Sequence, residues 1–212
     1  QKWSNNMHSP ILSICIPTYN RAKEIKHCLD SIVNNNIQEI EIVVSDNASN
    51  DETIDILKYY SKVLPLRWIT QKTNIGFDRN CAEVVSMAKG KYCWILGSDD
   101  AIVFDGIQDS LDVIKKNEPD ILHFGYIQAD SQMQQLYEVK TTNESNNILT
   151  KSDEYIDYLS RLGNLSLAFF FISCFIFKKS RWDSFYPRIN YFIDSNYVHA
   201  LMIHSIASEG AK

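Results

Sequence analysis

Residues 91–103 read KYCWILGSDDAIV and join a hydrophobic run to two adjacent carboxylates. The run ends abruptly at Gly97, and a short apolar run bounded by a turn residue predicts a buried strand. Ser98, Asp99 and Asp100 follow directly, at the end of the strand where open α/β sheets bind their ligands. Because adjacent carboxylates repel each other, a hard divalent cation such as Mg²⁺ or Mn²⁺ would stabilise them there. The alternative for an isolated Asp-Asp pair is a solvated acidic turn.

Three units of strand followed by helix precede this segment and predict the fold class. Residues 12–16, 39–44 and 66–70 have the composition of short strands, and each precedes a polar loop and a segment of helical periodicity. The alternation predicts an α/β fold built on a doubly wound, mostly parallel sheet. The sequence has neither a G-x-G-x-x-G nor a G-x-x-x-x-G-K-[ST] motif, so neither a dinucleotide fingerprint nor a P-loop is predicted.

The loops after these strands carry further candidate ligand-binding side chains. Thr18, Tyr19 and Arg21 follow the first strand, where a tyrosine can stack on a base and an arginine can pair with phosphate. Asp46 ends the second strand at the level of Thr18 and can accept hydrogen bonds from a ribose or a base N–H. Arg79 lies near the start of the third helix and can reach a diphosphate. The alternatives are a simple turn, a turn-forming Asx residue and a structural arginine.

The second half of the chain has longer and less regular elements. We predict helices over residues 106–116, 153–162, 179–185 and 197–208, and strands over 121–128, 136–141 and 169–177. No linker separates the halves, so a single domain over residues 1–212 is expected, with 11–105 and 106–212 as its two parts. This composition predicts a mixed α+β second half.

Composition and charge exclude some classes of protein. The formal net charge is −5, from 21 basic and 26 acidic side chains, which argues against a general nucleic-acid binder. The five cysteines are odd in number and lack a C-x-x-C pair, so buried free thiols in a reducing compartment are predicted. The apolar run 165–177 has 13 residues and is too short to span a bilayer. We expect a cytoplasmic protein, with peripheral contact at the inner face of the cell membrane as the alternative.

Four segments in order resemble the motifs of family 2 glycosyltransferases of the GT-A fold: ILSICIPTYNR, EIVVSDNASNDET, QKTNIGFDRN and KGKYCWILGSDD. The resemblance covers residues 11–105 and implies that they form the nucleotide-sugar-binding half of a GT-A domain. Residues 106–212 would then form the acceptor-side half, and we expect the protein to continue beyond Lys212. The apolar strand followed by FKKSRW is similar to a subgroup that acts on bacterial surface polysaccharides, including abequosyl-type transferases.

The resemblance also implies roles for individual residues. Family members commonly carry D-x-D-D where this chain has residues 97–100, so Gly97 replaces the first aspartate. Asp99 is then the expected ligand of Mn²⁺ or Mg²⁺, together with Asp100. The implied donor-binding residues are Pro17, Thr18, Tyr19, Arg21, Asp46, Asn47, Asn74, Gly76, Arg79, Asn80 and Ser98.

The mechanism implied by the resemblance is inverting transfer from a nucleotide-diphosphate sugar to a glycan or a polyprenyl-linked saccharide in bacterial surface polysaccharide synthesis. The cation would offset charge on the leaving diphosphate, and a base would remove the proton of the acceptor hydroxyl. Many members supply this base from a Glu-Asp pair at the start of a late helix, which this chain lacks. His199 and Asp194 are the candidate bases in the equivalent region.

Two other functions stay open at this point. A sugar nucleotidyltransferase also uses an α/β nucleotide-binding sheet, but its Gly-rich basic first loop is replaced here by PTYNR. A non-catalytic nucleotide- or carbohydrate-binding module is compatible with Gly97 and the missing Glu-Asp pair. Sugar transfer requires that Thr18, Asp46, Arg79 and Asp99 meet in one crevice at the edge of the sheet.

Overall fold

The computed structural model describes residues 9–35, 37–130, 133–139, 152–161 and 171–210. Two short 3-10 turns, Ile172–Cys174 and Tyr186–Tyr191, accompany the regular elements. In chain order these elements are β1 (Leu12–Thr18), α1 (Ala22–Val33), β2 (Ile40–Asp46), α2 (Thr53–Tyr60), β3 (Leu66–Thr70), α3 (Phe77–Met87), β4 (Tyr92–Ile95), α4 (Gly106–Asn117), β5 (Ile121–His123), β6 (Tyr126–Ala129), β7 (Gln135–Val139), α5 (Ser152–Arg161), β8 (Phe175–Lys178), α6 (Lys179–Phe185) and α7 (Val198–Ser208).

The main sheet has six strands in the order β3-β2-β1-β4-β8-β5. The strands β1 to β4 are mutually parallel, and β8 runs antiparallel to both of its neighbours. The strands β6 and β7 form a separate two-stranded sheet. The predicted α/β fold with a mostly parallel sheet is therefore confirmed.

The sheet is buried on both faces. Leu12, Ile14 and Ile16 of β1 belong to an apolar cluster with α1, α2 and α4. Cys15 points to the other face, where it belongs to a cluster with α3, α6 and α7. Because both faces are covered, every residue of β1 is buried, including the polar Ser13.

The first strand was predicted over residues 12–16, but β1 continues through Pro17 to Thr18. Pairing with β4 stops at Cys15, which is opposite Ile95, whereas pairing with β2 continues to the end of the strand. The missing N–H of Pro17 therefore breaks no hydrogen bond with β4, because that part of the ladder has already ended.

The second half departs from the prediction at two strands. The single strand predicted over 121–128 is wrong, because β5 joins the main sheet and β6 pairs with β7. The strand predicted over 169–177 starts later, since residues 172–174 form a 3-10 turn before β8. Residues 140–141, 162 and 165–170 of the predicted segments lie outside the described residues.

Two further expectations concern the cysteines and the membrane. All five cysteines are buried and unpaired, as predicted. Within the part of the chain that the structure describes, none of the helices combines the length and the apolar character needed to cross a bilayer.

Candidate functional site

The ends of β1 and β2 form the floor of the candidate site. Thr18 and Asp46 are register partners at the last position of their strands, and both are buried. The Asn47 N–H donates to the Thr18 carbonyl at 2.9 Å, and the Ser49 N–H donates to the Asp46 carboxylate at 3.2 Å. The Thr18 hydroxyl is buried without a hydrogen-bond partner among the described residues. A buried hydroxyl of this kind is well suited to bond a ligand.

The first loop is hydrogen-bonded to the second through Asn20, a contact that the sequence did not predict. The Asn20 N–H donates to Ser49 Oγ at 2.8 Å, and the Asn50 N–H donates to Asn20 Oδ1 at 2.9 Å. Asn20 adopts φ +51°, a left-handed conformation that asparagine tolerates better than most residues. This turn leaves Tyr19 exposed at the surface, 43% of it accessible to solvent. The turn signal in PTYNR was visible, but its partners in the second loop were not.

The segment after β3 is stiffened by side-chain amides. Asn47 donates to Asn74 Oδ1 at 3.0 Å and accepts the Ile75 N–H at 2.8 Å. Gly76 has φ +86°, which favours glycine at this turn. Asn80 donates to the Ser45 carbonyl at 2.9 Å and reaches the Thr18 carbonyl at 3.5 Å. The amides of Asn47, Asn74 and Asn80 therefore bind the loops of the protein itself and shape this edge of the sheet.

The acidic motif follows β4 at the same edge. Arg21 Nη1 lies 2.6 Å from Asp99 Oδ2, so the first loop contacts the motif directly. Asp100 accepts the hydroxyl of Ser173 at 2.5 Å. Burial raises the pKa of Asp100, the neighbouring Asp99 charge raises it further, and the Ser173 bond opposes both effects. A positive charge placed beside this pair would offset the cost of holding Asp100 ionised.

The two carboxylates fit a divalent cation that shares its ligands with a phosphate. Among the described residues no group of three or more His, Cys, Asp or Glu side chains could hold a metal ion alone. Mg²⁺ in phosphate-binding sites needs only one or two carboxylates, since waters and phosphate oxygens fill the other positions. Asp99 is half-exposed and Asp100 is mostly enclosed. The Asp99 carboxylate therefore faces solvent, whereas the Asp100 carboxylate is held in place by Ser173. Ser98 is buried beside them.

The start of α3 meets the segment that leads into α7. The Arg79 guanidinium binds both carboxylate oxygens of Asp194, at 2.6 and 3.2 Å. Its neighbour Asp78 is buried and accepts the N–H groups of Asn196 at 2.8 Å and Val198 at 3.1 Å. Sequence reasoning missed Asp78, because no local pattern links it to a segment more than 100 residues away.

The two candidate bases lie in different surroundings. Asp194 is exposed, and its hydrogen bond from Arg79 lowers the pKa of its carboxyl. His199 lies five residues later, on the inner face of α7, where only 4% of it is accessible. Its ring meets Phe77 edge-on with centroids 6.0 Å apart.

Several of the sequence-predicted residues thus lie together at the carboxyl edge of the sheet. Thr18 and Asp46 are adjacent in register, and Asn80 links the start of α3 to Thr18. Arg21 brings Asp99 to the first loop. Pro17 belongs to β1 just beneath this edge.

Comparison with known proteins agrees with this geometry. The family model described as Glycosyl transferase family 2 matches residues 13–182. The chain is similar to abequosyltransferase RfbV of Salmonella typhimurium, with 32% identity over an alignment 206 residues long, which covers 92% of this chain and 61% of that protein.

Solved structures share the fold at lower sequence identity. TarS of S. aureus has a TM-score of 0.71 at 20% identity, and the match covers 95% of this chain and 56% of that one. Other TarS structures are complexes with UDP and UDP-GlcNAc. Mannosyltransferase PcManGT from Pyrobaculum calidifontis, in complex with GDP-Man and Mn²⁺, has a TM-score of 0.63 at 16% identity over 97% of this chain and 54% of that one. The chain thus spans little more than half the length of these two relatives, and the likeness confirms the expected GT-A type of fold.

Proposed function

Since the chain belongs to glycosyl transferase family 2, we propose that it transfers a sugar from a nucleotide-diphosphate donor to a saccharide acceptor in one inverting displacement. The observation that carries the proposal is the meeting of four loops at one sheet edge, where two arginines face two acidic groups. In this reaction the leaving diphosphate needs positive charge and the acceptor hydroxyl needs a base, and both must lie at one place.

The donor would lie across the ends of β1 and β2. The buried Asp46 carboxylate and the buried Thr18 hydroxyl are suited to bond the ribose and the base. Tyr19 is exposed at the same edge and can stack on the base. Arg21 and Arg79 present guanidinium groups that can pair with the diphosphate.

Asp99 and Asp100 would hold the divalent cation, Mn²⁺ or Mg²⁺. When bound, the cation supplies electrostatic stabilisation of the leaving diphosphate. The chain's own part is to keep the two carboxylates adjacent, with Asp100 held by Ser173 and Asp99 contacted by Arg21. Arg21 would then bring its charge to the same side of the diphosphate.

We propose Asp194, and not His199, as the general base. A base must reach the acceptor hydroxyl and must be unprotonated when the acceptor binds. The Asp194 side chain is 73% exposed, and Arg79 lowers the pKa of its carboxyl, so it is ionised at neutral pH. His199 is enclosed on the inner face of α7, beside Phe77, where only 4% of it is accessible to an acceptor.

The acceptor that we propose is a glycan or a polyprenyl-linked saccharide of bacterial surface polysaccharide synthesis. The similarity to an abequosyltransferase over most of the chain supports this class. A polyprenyl chain resides in the bilayer, so peripheral contact with the inner face of the cell membrane belongs to this proposal.

Calorimetric titration with UDP, CDP, GDP and TDP, each with and without Mn²⁺, tests the donor site. We expect one nucleotide to bind with an affinity that Mn²⁺ increases, and we expect Asp99→Ala to remove the increase without abolishing binding. Asp55→Ala, in an exposed part of α2, is the control and keeps the wild-type response. A flat response to all four nucleotides would overturn the proposal.

A further inference from the structure

The space beside Gly97 is occupied by a carboxylate, and the backbone conformation at this position does not itself demand glycine. A Cβ at this position would lie 2.6 Å from Asp100 Oδ2 and 3.2 Å from Asp99 Oδ1. Its φ lies outside the left-handed range, unlike that of Gly76. The Asp100 carboxylate therefore fills the volume that a side chain at position 97 would need.

Ser173 holds Asp100 in this volume. The Gly97 N–H donates to Ser173 Oγ at 2.8 Å, and the Ser173 hydroxyl donates to Asp100 Oδ2 at 2.5 Å. The Gly97 carbonyl also accepts the Asp100 N–H at 3.0 Å. The Ser173 hydroxyl thus connects the two ends of the segment 97–100, although it lies more than 70 residues away in the chain.

The position of Ser173 is itself fixed by neighbouring groups. The indole N–H of Trp94, on β4, donates to the Ser173 carbonyl at 2.8 Å. The Cys174 N–H donates to the Phe171 carbonyl at 3.2 Å and closes the 3-10 turn. Both Cys174 and Trp94 are buried. The hydroxyl therefore has little freedom to follow Asp100 if that carboxylate moves.

We propose that Ser173 is a positioning residue for the cation site and that Asp100 takes the place of a side chain at position 97. This inference rests on the proposed function, because it assumes that Asp99 and Asp100 hold the divalent ion. It has an unexpected consequence for Gly97→Asp. An added carboxylate would ordinarily strengthen a cation site by supplying another oxygen. Here it displaces Asp100 from Ser173 and weakens the site.

Mn²⁺ binding tests the consequence directly. Free Mn²⁺ is measured by electron paramagnetic resonance, with Mn²⁺ alone and with each of UDP, CDP, GDP and TDP. We expect Ser173→Ala and Gly97→Asp each to weaken Mn²⁺ binding by about 10- to 100-fold, the usual effect of losing a group that orients a metal ligand. Ser173→Thr keeps the hydroxyl and is expected to stay within about threefold of the wild type.

Ser110→Ala is the matched control. Ser110 is a buried serine in α4 whose hydroxyl donates to the Gly106 carbonyl at 2.7 Å, away from the acidic motif. We expect it to bind Mn²⁺ as the wild type does. Wild-type affinity in Ser173→Ala, or tighter binding in Gly97→Asp, would overturn the inference.

Hydrogen exchange of the Gly97 amide separates the inference from the proposed function, because it needs neither metal nor nucleotide. Ser173→Ala removes the acceptor of this N–H, and we expect exchange to quicken by about tenfold, the effect of losing one hydrogen bond. Unchanged exchange would overturn the positioning role, whatever Mn²⁺ does. Quicker exchange in a protein whose wild type binds no Mn²⁺ with any nucleotide would overturn the cation site instead and leave the Ser173 contact established.

Discussion

Arg79 and Asp194 stand 115 positions apart in the chain and form a two-pronged ion pair, with N–O distances of 2.6 and 3.2 Å. The pair joins the start of α3, at the proposed donor site, to the segment that leads into α7. Asp78 makes the same connection through two backbone N–H groups. The proposed donor and acceptor sides of the site therefore share one support.

We expect Asp194→Asn to lower kcat by about 10²- to 10⁴-fold, the usual contribution of a general base. Nucleotide binding, measured by calorimetry, should not be weakened, because the loss of the Asp194 charge leaves Arg79 free to pair with the diphosphate. His199→Asn should keep kcat within a few-fold and lower the midpoint of thermal unfolding, since that side chain is buried. The opposite pattern, with activity lost only in the histidine variant, would assign the base to His199.

The pH dependence of kcat/KM gives an independent test of the same assignment. Arg79 lowers the pKa of Asp194, so its carboxylate stays ionised from pH 8 down to about pH 5. We expect no acid limb from the base in that range. A histidine base with an ordinary pKa of about 6.5 would instead reduce the rate tenfold for each pH unit below that value.

The first half of the fold and the place of its site could be predicted from sequence for a physical reason. Each of β1 to β4 is rich in strand-forming residues, and parallel strands bring the loops after them to one edge, so Thr18 and Asp46 were expected at the same level of the sheet. The second half could not be predicted so well. The insertion of β8 between β4 and β5 depends on antiparallel pairing between distant segments. For the same reason no sequence pattern pointed to Ser173.

Replacing Arg21, the ion-pair partner of Asp99, should have opposite effects on the binding of two ligands. Arg21 occupies an oxygen of the proposed metal ligand at 2.6 Å, so it competes with a cation that binds alone. We expect Arg21→Met to strengthen binding of Mn²⁺ alone by about two- to fivefold, the range for an exposed ion pair. The same change should weaken nucleoside diphosphate binding by about tenfold or more, because a charge-assisted contact to phosphate is lost.

Arg188→Met provides the control for Arg21, since it breaks a similar exposed pair with Glu209 far along the chain. It should change neither affinity. Weaker binding of Mn²⁺ alone to Arg21→Met would mean that the guanidinium supports the cation site and does not compete with it.

We expect Asp78 to stabilise the fold by holding the start of α7 against α3. Its buried carboxylate accepts the N–H groups of Asn196 and Val198, and hydrogen bonds to a buried charge contribute about 1.5–3 kcal/mol. We expect Asp78→Ala to lower the free energy of unfolding by about that amount and to speed amide exchange at both positions. Urea titration and hydrogen exchange measure the two effects.

The exposed Asp55, at the start of α2, is the comparison for Asp78. We expect Asp55→Ala to change the free energy of unfolding by no more than about 0.5 kcal/mol, as surface substitutions do. Equal stability of the two variants would show that the buried carboxylate does not hold α7 in place.

His123 should make stability depend on pH in a defined window. Burial against Phe175, whose ring stacks at 4.3 Å, lowers the pKa of the His123 imidazole to about 4. Above pH 6.5 the ring is neutral in both the folded and the unfolded chain, so it has no effect. Between about pH 6.5 and 4 the His123 imidazole is protonated in the unfolded chain but stays neutral in the folded chain. The free energy of unfolding therefore falls as the pH falls.

At pH 5 this difference amounts to about 2 kcal/mol of lost unfolding free energy relative to pH 7.5, from roughly 1.5 pH units at 1.36 kcal/mol each. His123→Phe cannot be protonated, so we expect its loss between pH 7.5 and 5 to be smaller than the wild type's by about 2 kcal/mol. Urea titrations at the two pH values measure it. His27→Gln, an exposed substitution in α1, should keep the wild-type dependence. If His123→Phe lost as much stability as the wild type, the proton uptake would have to be assigned to another group.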